Sequence, residues 1–225
     1  MNYLKKNFQY WNFDYSSLNV ESVIFRFVGL LEKFFHIKKK SSFLDFGCGQ
    51  GASVKYLIKK GYSAVGVDMS KKNIEIGKKY FKTKKLYTVP PESFNCDFTK
   101  YNKNKKFSII MCQQSIYYFN EGDFKKILKN FYNCLEKNGI LYFSVISVKH
   151  SLYKNSIKTK DSWLRGSKYE YKKQKSLSYV FFIKDPKKFY KKYLNEFKLI
   201  NIGEYYMQLT DRTTNNHHYT FLLKK

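Results

Sequence analysis

Proline, cysteine and acidic residues are scarce in this chain of 225 residues. It holds 3 prolines and 4 cysteines, and its 17 Asp and Glu are outnumbered by 43 Lys and Arg. Four cysteines are too few for a scaffold built on disulfides, and an apolar share of 43 % argues against disorder. The chain is long enough to bury a full core, so we predict a single domain over residues 1–225.

Long apolar runs are also missing. No run approaches the roughly 18 residues that a membrane-spanning helix needs, and residues 1–13 lack the apolar centre of a secretory signal. We therefore expect a cytoplasmic protein without membrane insertion, as a monomer or a homodimer. The cysteines show no metal-ligand spacing such as C-x-x-C, so we expect no metal.

Arginine is rare even though the formal net charge is +26. The basic residues are nearly all Lys, with Arg26, Arg165 and Arg212 as the exceptions. Basic side chains neutralise phosphates, but the planar fork of Arg suits bidentate phosphate and base recognition better than Lys does. The composition therefore favours attraction of small anions over dedicated nucleic-acid binding, which stays open as a second interpretation.

Apolar segments of strand length alternate with segments of helical periodicity along the first two thirds of the chain. The helical segments are Leu18–Phe35, Ala52–Lys60, Lys71–Tyr80 and one in which Phe124, Ile127, Leu128, Phe131 and Leu135 share a face. The strand segments are Phe43–Phe46, Ala64–Val67, Leu86–Val89, Phe107–Cys112 and Ile140–Val148. This order predicts an α/β fold whose mainly parallel sheet is covered by helices on both faces.

The two ends of the chain depart from this alternation. Residues 151–184 are polar, rich in Tyr and Lys and weakly periodic, which favours an insertion that caps the ligand edge of the sheet. A helix is expected from Asp185, and Leu199–Leu209 and Tyr219–Leu223 flank a turn, which predicts a C-terminal antiparallel hairpin. We expect residues 1–40 to form a helical lid.

Three closely spaced glycines lie between the first predicted strand and the helix that follows it. The stretch from Asp45 to Gly51 reads D-F-G-C-G-Q-G, and Asp68 closes the next strand about twenty residues later. Glycine lets the backbone approach a ligand closely, and an acid at the end of the second strand suits hydrogen bonds from a ribose diol. Because the spacing differs from the G-x-G-x-x-G of pyrophosphate binders, it predicts a nucleoside-binding edge whose ligand need not carry phosphate.

These residues resemble the seven-stranded class I methyltransferases that use S-adenosylmethionine, and the similarity extends from about Phe43 through the terminal hairpin. The resemblance implies a Rossmann-like seven-stranded sheet and S-adenosylmethionine as the cofactor, with S-adenosylhomocysteine as its product. The positions that it places at the cofactor are Asp45, Gly47, Cys48, Gly49, Gly51, Asp68, Met69, Cys96, Asp97, Phe98 and Gln113.

The acceptor side follows the family pattern less closely. Small-molecule members of the family carry a segment resembling N-x-x-x-E-H after the fourth strand, whereas residues 113–119 read Q-Q-S-I-Y-Y-F here. Tyr stands at both the Glu and the His position, and Tyr is a poor base at neutral pH. The catalytic candidates are Tyr117, His150 and His217. The substrate-binding candidates are Tyr10, Trp11, Gln114, Tyr118, Arg165, Arg212 and His218.

Three functions are compatible with this pattern. The first is methyl transfer to a small polar, anionic acceptor that is phosphorylated, carries a phosphoramidate or is linked to a nucleotide. The compact size also resembles methyltransferases of bacterial surface and capsular polysaccharide biosynthesis. The second is methylation of RNA held by the Lys-rich surface. The third is a non-catalytic cofactor-binding subunit of a partner methylase.

Overall fold

Parallel strands alternate with helices along most of the chain. The structure is a computed structural model, which describes residues 7, 18–90, 96–103, 106–171, 174–207 and 216–225. The described helices are α1 (Ser22–Phe34), α2 (Ala52–Lys59), α3 (Lys71–Phe81), α4 (Glu121–Cys134), α5 (Ser151–Lys154) and α6 (Pro186–Tyr193), with short 3-10 helices at Phe98–Tyr101 and Ile116–Tyr118. The described strands are β1 (Ser42–Phe46), β2 (Ser63–Asp68), β3 (Leu86–Thr88), β4 (Phe107–Cys112), β5 (Leu135–Ile146), β6 (Ser156–Lys158), β7 (Arg165–Tyr171), β8 (Gln174–Val180), β9 (Lys198–Met207) and β10 (Asn216–Lys224).

Seven of these strands form one sheet in the order β3-β2-β1-β4-β5-β10-β9. The pairs from β3 to β5 are parallel, and β10 runs antiparallel to both β5 and β9. The strand order reverses between β1 and β4, and ligands of α/β sheets gather at the carboxyl ends of strands beside such a switch point. The predicted Rossmann-like sheet and its C-terminal hairpin are confirmed.

Helices cover both faces of this sheet. Alternate side chains of β1 point to opposite sides, with Phe43 in a core beneath α1, α2 and α3, and Leu44 and Phe46 in a core beneath α4 and α6. All five residues of β1 are buried. The central strand therefore reads as a continuous apolar run, interrupted only by Asp45 and the terminal Ser42, as expected of a strand packed on both faces.

Strand β5 begins earlier than the sequence predicts, at Leu135 rather than Ile140. Its pairing with β4 jumps from Phe107–Leu135 to Ile109–Ile140, so the residues between form a bulge. Asn138 lies in this bulge with φ of +66°, a left-handed conformation that Asn tolerates. A polar turn sequence thus continues the strand because the bulge absorbs the extra residues.

The segment 151–184 contains a small antiparallel sheet in the order β6-β7-β8, which weak periodicity did not reveal. Its last strand is tied to the 3-10 helix that follows β4. The Phe181 amide donates to the Tyr117 carbonyl over 2.9 Å, and the Asn7 amide group donates to the Tyr118 and Tyr179 carbonyls at 3.1 and 2.8 Å. The insertion is therefore anchored beside residues predicted to face the acceptor.

The part of the chain that the structure describes has no helix both long enough and apolar enough to cross a bilayer.

Candidate functional site

The glycine turn is hydrogen-bonded to the end of β2. The amides of Gly47 and Cys48 both donate to the Val67 carbonyl, at 2.8 and 3.1 Å. Gly47, Gly49 and Gly51 have φ of +75°, +54° and +82°, a run of left-handed conformations that other residues rarely adopt. At Gly47 the close approach is also steric, since a Cβ there would lie 2.4 Å from Ser115 Oγ. The turn therefore passes tightly under the loop after β4 and opens onto the start of α2.

Asp68 joins the turn to the next strand. Its Oδ2 accepts the Gly49 amide over 2.8 Å, and its Oδ1 accepts the Ser70 amide over 2.8 Å. Burial raises the pKa of this carboxyl, and the hydrogen bonds from Ser70, Gly49 and Met69 partly offset the rise. Each carboxylate oxygen keeps a further lone pair, so Asp68 both shapes the turn and can still accept hydroxyl groups.

Asp45 carries a buried carboxyl at the end of the central strand. It is 4 % exposed and lies between Leu44 and Phe46 at the end of β1. Burial, together with the nearby carboxyls of Asp68 and Glu21, raises its pKa to about 8. A buried acid whose nearby charged groups are other acids is costly to ionise in the apo protein. The site therefore calls for a ligand that brings positive charge.

This arrangement fits the cofactor that the resemblance implies. S-Adenosylmethionine carries a sulfonium and an ammonium group, which three converging carboxyls favour, and ribose hydroxyls, which Asp68 can accept. Residues expected near the adenine behave differently. Met69 packs on the core at the end of β2, whereas Phe98 is fully buried against Phe46 at 5.5 Å, so its ring belongs to the core. Asp97 is exposed and caps its 3-10 helix through the Thr99 amide.

The raised pKa of Asp45 predicts a pH dependence of cofactor affinity. The folded apo protein holds a proton on Asp45 below about pH 8, and a cationic ligand favours the ionised form, so binding releases a proton. Affinity for S-adenosylmethionine should then rise as pH increases, by up to about tenfold per unit, and level off above about pH 8. Calorimetric titration in buffers of different ionisation enthalpy measures both the affinity and the proton release.

The matched variant for that titration is Asp45→Asn, which keeps the shape of the side chain and removes the titrating proton. Its affinity should be weaker and its pH profile flatter. For folding the sign is opposite, because the native state holds the extra proton: apo stability that is present at low pH is lost as pH rises toward about 8. A wild-type affinity independent of pH would contradict this interpretation of Asp45.

A polar cluster lies beyond the end of β4, beside the glycine turn. The Gln113 Nε2 donates to Glu21 Oε2 at 3.1 Å and to the Tyr205 hydroxyl at 2.6 Å, and Gln114 Nε2 reaches the same two atoms at 3.2 Å each. Gln114 has φ of +53°, and its backbone amide donates to Ser144 Oγ over 2.9 Å. Gln113 Oε1 is buried without a partner among the described residues. The cluster therefore offers an unused hydrogen-bond acceptor.

Glu21 and Tyr205 belong to this cluster, but sequence reasoning did not identify them. Glu21 stands just before α1, and burial raises the pKa of its carboxyl despite the hydrogen bond from Gln113. Tyr205 comes from β9, and burial raises the pKa of its phenol to about 12. Each is remote in sequence from Gln113, and only the antiparallel end of the sheet and the start of α1 bring them there. No local motif marks either residue.

Of the two tyrosines after β4, Tyr117 is buried and Tyr118 is partly buried. The rings of Tyr117 and Tyr118 lie 4.6 Å apart, and Tyr117 also faces His218 at 5.9 Å. Burial, and to a smaller extent the neighbouring Tyr118, raises the pKa of Tyr117 well above its usual value. Neither phenol is suited to act as a base, which agrees with the expectation from their chemistry.

The three candidate histidines meet at one end of the hairpin, but their nitrogens differ. His217 is bonded at both nitrogens, to Ser147 Oγ at 2.7 Å and to Glu204 Oε2 at 3.1 Å. His150 Nδ1 accepts the Leu152 amide at 3.1 Å and so caps α5. His218 Nε2 is buried and has no partner among the described residues. The geometry therefore favours His218, predicted as a substrate contact, over the two histidines predicted as catalytic.

Some predicted substrate contacts lie elsewhere or outside the described residues. The Arg165 guanidinium donates to the Ser156 hydroxyl and carbonyl at 2.6 and 2.9 Å and stacks on Tyr153, so it holds the small sheet together. Tyr10, Trp11 and Arg212 lie outside the described residues. Among the cysteines, Cys48 lies in the turn, and burial raises the pKa of its thiol, while the described part of the chain has no cluster suited to a metal ion.

Comparison with known families and proteins places the chain among methyltransferases. The profile of a family described as a methyltransferase domain matches residues 19–179. A curated relative, the ubiquinone biosynthesis O-methyltransferase of Pelagibacter ubique (strain HTCC1062), is 34 % identical over 112 residues, which cover 48 % of this chain and 43 % of that protein. The chain thus spans less than half the length of this relative.

Solved structures share the whole fold at low identity. A S-adenosylmethionine-dependent methyltransferase from Anabaena variabilis ATCC 29413 superposes with a TM-score of 0.67 at 15 % identity, covering 100 % of this chain and 95 % of that one. One from Methanosarcina mazei superposes with a TM-score of 0.66 at 14 % identity, covering 92 % and 98 %. At such identities the likeness shows the fold alone.

Proposed function

Because the chain belongs to the class I methyltransferase family, whose cofactor is S-adenosylmethionine, we propose that it methylates a hydroxyl oxygen of a small polar acceptor that also bears an anionic group. When bound, S-adenosylmethionine supplies a methyl carbon made electrophilic by the sulfonium. The observation that carries the proposal is that a buried Asp45 carboxyl and a Gln113 Oε1 without a hydrogen-bond partner among the described residues lie at the carboxyl ends of the neighbouring strands β1 and β4.

Two observations support the finer choice of acceptor. The relative from Pelagibacter ubique is named an O-methyltransferase, which favours oxygen as the receiving atom. A net charge of +26 attracts anions, so an acceptor with a phosphate, phosphoramidate or nucleotide group would be enriched near the surface. The acidic groups at the cofactor end favour a neutral hydroxyl at the reacting atom itself, with the anionic group held further out.

The residues of this chain would act mainly by alignment. Asp45 and Glu21 would favour a cation near the glycine turn, and Asp68 would hold hydroxyl groups while it keeps the turn in shape. Gln113 Oε1 would accept a hydrogen bond from the acceptor, with Gln113 itself fixed by Tyr205. Holding two reactants in line makes the largest contribution to such a transfer, because it removes their freedom before the reaction.

The test is transfer of labelled methyl groups. The purified chain is incubated with methyl-labelled S-adenosylmethionine and extract from its native host, and label is counted in anionic low-mass, neutral low-mass and nuclease-sensitive fractions. We expect label in the anionic low-mass fraction, in an ether linkage by mass spectrometry. The Asp68→Ala variant serves as the control for enzyme-dependent transfer.

Each other outcome overturns a stated part of the proposal. Label in the neutral fraction would show that the acceptor carries no anionic group. Label on nitrogen would show that oxygen is not the receiving atom. Nuclease-sensitive label, together with RNA affinity that falls steeply with salt, would make RNA the acceptor. No transfer by the isolated chain, with cofactor binding intact, would favour a subunit that supports a partner methylase.

A further inference from the structure

One imidazole nitrogen of β10 is buried without a hydrogen-bond partner among the described residues. His218 is 3 % exposed, and its Nε2 makes no hydrogen bond in the described part of the chain. Leaving a buried polar atom unpaired costs about 1–3 kcal/mol, and such atoms in native proteins commonly await a ligand or water. The nitrogen therefore needs an explanation that folding alone does not provide.

The tautomer of His218 follows from its other nitrogen. Nδ1 lies 3.0 Å from the carbonyl oxygen of Asn216, and a carbonyl can only accept, so Nδ1 carries the hydrogen. In the neutral ring Nε2 then holds a bare lone pair. The unpaired atom is thus a hydrogen-bond acceptor and calls for a partner that donates.

The ring is locked in place next to the polar cluster beyond β4. It stacks on Tyr205 with ring centres 5.0 Å apart and planes within 5° of parallel, as its register partner on β9. The Tyr205 hydroxyl in turn bonds the amides of Gln113 and Gln114. Tyr117 and His150 border the ring at 5.9 and 5.4 Å. The Tyr205 ring therefore connects His218 to the two glutamines beyond β4.

We infer that His218 is the base of the reaction: Nε2 receives the hydrogen bond, and then the proton, of the hydroxyl that is methylated. As an oxygen lone pair forms the bond to the methyl carbon, the carbon–sulfur bond breaks and its electrons stay on sulfur. The hydroxyl proton passes to Nε2, which leaves a methyl ether, a neutral thioether and an imidazolium. This inference rests on the proposed function and defines its acceptor as a neutral hydroxyl that still carries its proton.

The surroundings keep the lone pair available. Burial, with the nearby rings of His150 and His217, lowers the pKa of His218 to about 3, so Nε2 is unprotonated at neutral pH. A hydroxyl oxygen that is forming a bond to carbon becomes a far stronger acid than imidazolium, so the proton moves to Nε2 as that bond forms. Among the other groups at this end, the Tyr205 hydroxyl and the Glu21 carboxyl accept hydrogen bonds from Gln113, and burial raises the pKa of the Tyr117 phenol well above its usual value.

The test replaces His218 with phenylalanine, which keeps an aromatic ring against Tyr205 and removes both nitrogens. With labelled S-adenosylmethionine and the host fraction that the wild type labels, His218→Phe should lower the transfer rate about 10²–10⁴-fold. Binding of S-adenosylhomocysteine, measured by calorimetry, should change less than about threefold, since the ring lies beyond the cofactor turn. His36→Asn, an exposed histidine at φ of +47° after α1, is the matched control and should leave both values unchanged.

Two further measurements cover a variant that fails to fold. His218→Gly should regain transfer when free imidazole is added, as a missing base can be supplied but a missing packing contact cannot. Nitrogen NMR of the ¹⁵N-histidine-labelled wild type reads the tautomer directly: we expect Nδ1–H and a bare Nε2 at pH 7. A proton on Nε2 at that pH, or His218→Phe activity within about threefold of the wild type, overturns the inference. Absence of transfer by the wild type would instead overturn the proposed function.

Discussion

Replacing Asp68 with alanine should weaken binding of S-adenosylmethionine about a hundredfold. Two contributions add here: the carboxylate no longer accepts hydroxyl groups of the ligand, and the Gly49 amide loses its 2.8 Å anchor, which frees the glycine turn. Hydrogen bonds to a charged group contribute about 1.5–3 kcal/mol each, and about 1.4 kcal/mol corresponds to a factor of ten in affinity. Calorimetric titration of the folded variant measures this change.

Asp185→Ala is the matched control for Asp68→Ala. Asp185 also accepts two backbone amides, those of Lys187 and Lys188 at 2.9 and 3.0 Å, but it does so as the cap of α6. Loss of that cap should lower stability by about 1 kcal/mol and leave cofactor affinity unchanged. Equal affinities for the wild type and Asp68→Ala would contradict the placement of the cofactor at the ends of β1 and β2.

Gly77→Ala should lower the free energy of unfolding by about 3 kcal/mol. A Cβ at Gly77, in the middle of α3, would lie 2.0 Å from the Gln50 carbonyl oxygen and 2.9 Å from Leu86 Cδ1. The oxygen is backbone within the glycine turn and cannot rotate aside, so α3 or the turn must move. Urea unfolding measures the loss of stability, and weaker cofactor binding should accompany it because Gln50 belongs to the turn.

Gly29→Ala provides the opposite outcome within the same kind of element. Gly29 is exposed on α1, and a Cβ there would meet nothing within 4 Å. Alanine favours the helix over glycine, so this variant should gain about 0.5–1 kcal/mol. The pair separates helix propensity from close approach, and a stabilised Gly77→Ala protein would show that α3 does not press on the turn.

The glycine turn and the acid bonded to it could be predicted because their determinants are local in sequence. Asp45 and the three glycines follow one strand directly, and Asp68 ends the next, so parallel pairing of β1 with β2 is enough to bring them together. The roles of Phe98 and Arg165 were harder to anticipate. Whether an aromatic ring faces a ligand or the core, and whether a guanidinium is free or already bonded, depends on packing partners that no motif specifies.

The polar cluster beyond β4 was decided by tertiary structure. Gln113, Tyr205 and Glu21 are separated by more than ninety residues along the chain, and sequence reasoning chose His150 and His217, rather than His218, as catalytic candidates. The antiparallel placement of β10 between β5 and β9 gives both ring nitrogens of His217 a hydrogen-bond partner. The same placement leaves Nε2 of His218 without a partner among the described residues. The sequence by itself determined the α/β order, the glycine turn and the acid that serves it, because periodicity and strand-end motifs act locally. Which polar atoms remain unpaired beside that turn depends on long-range packing, and the tertiary structure alone decided it.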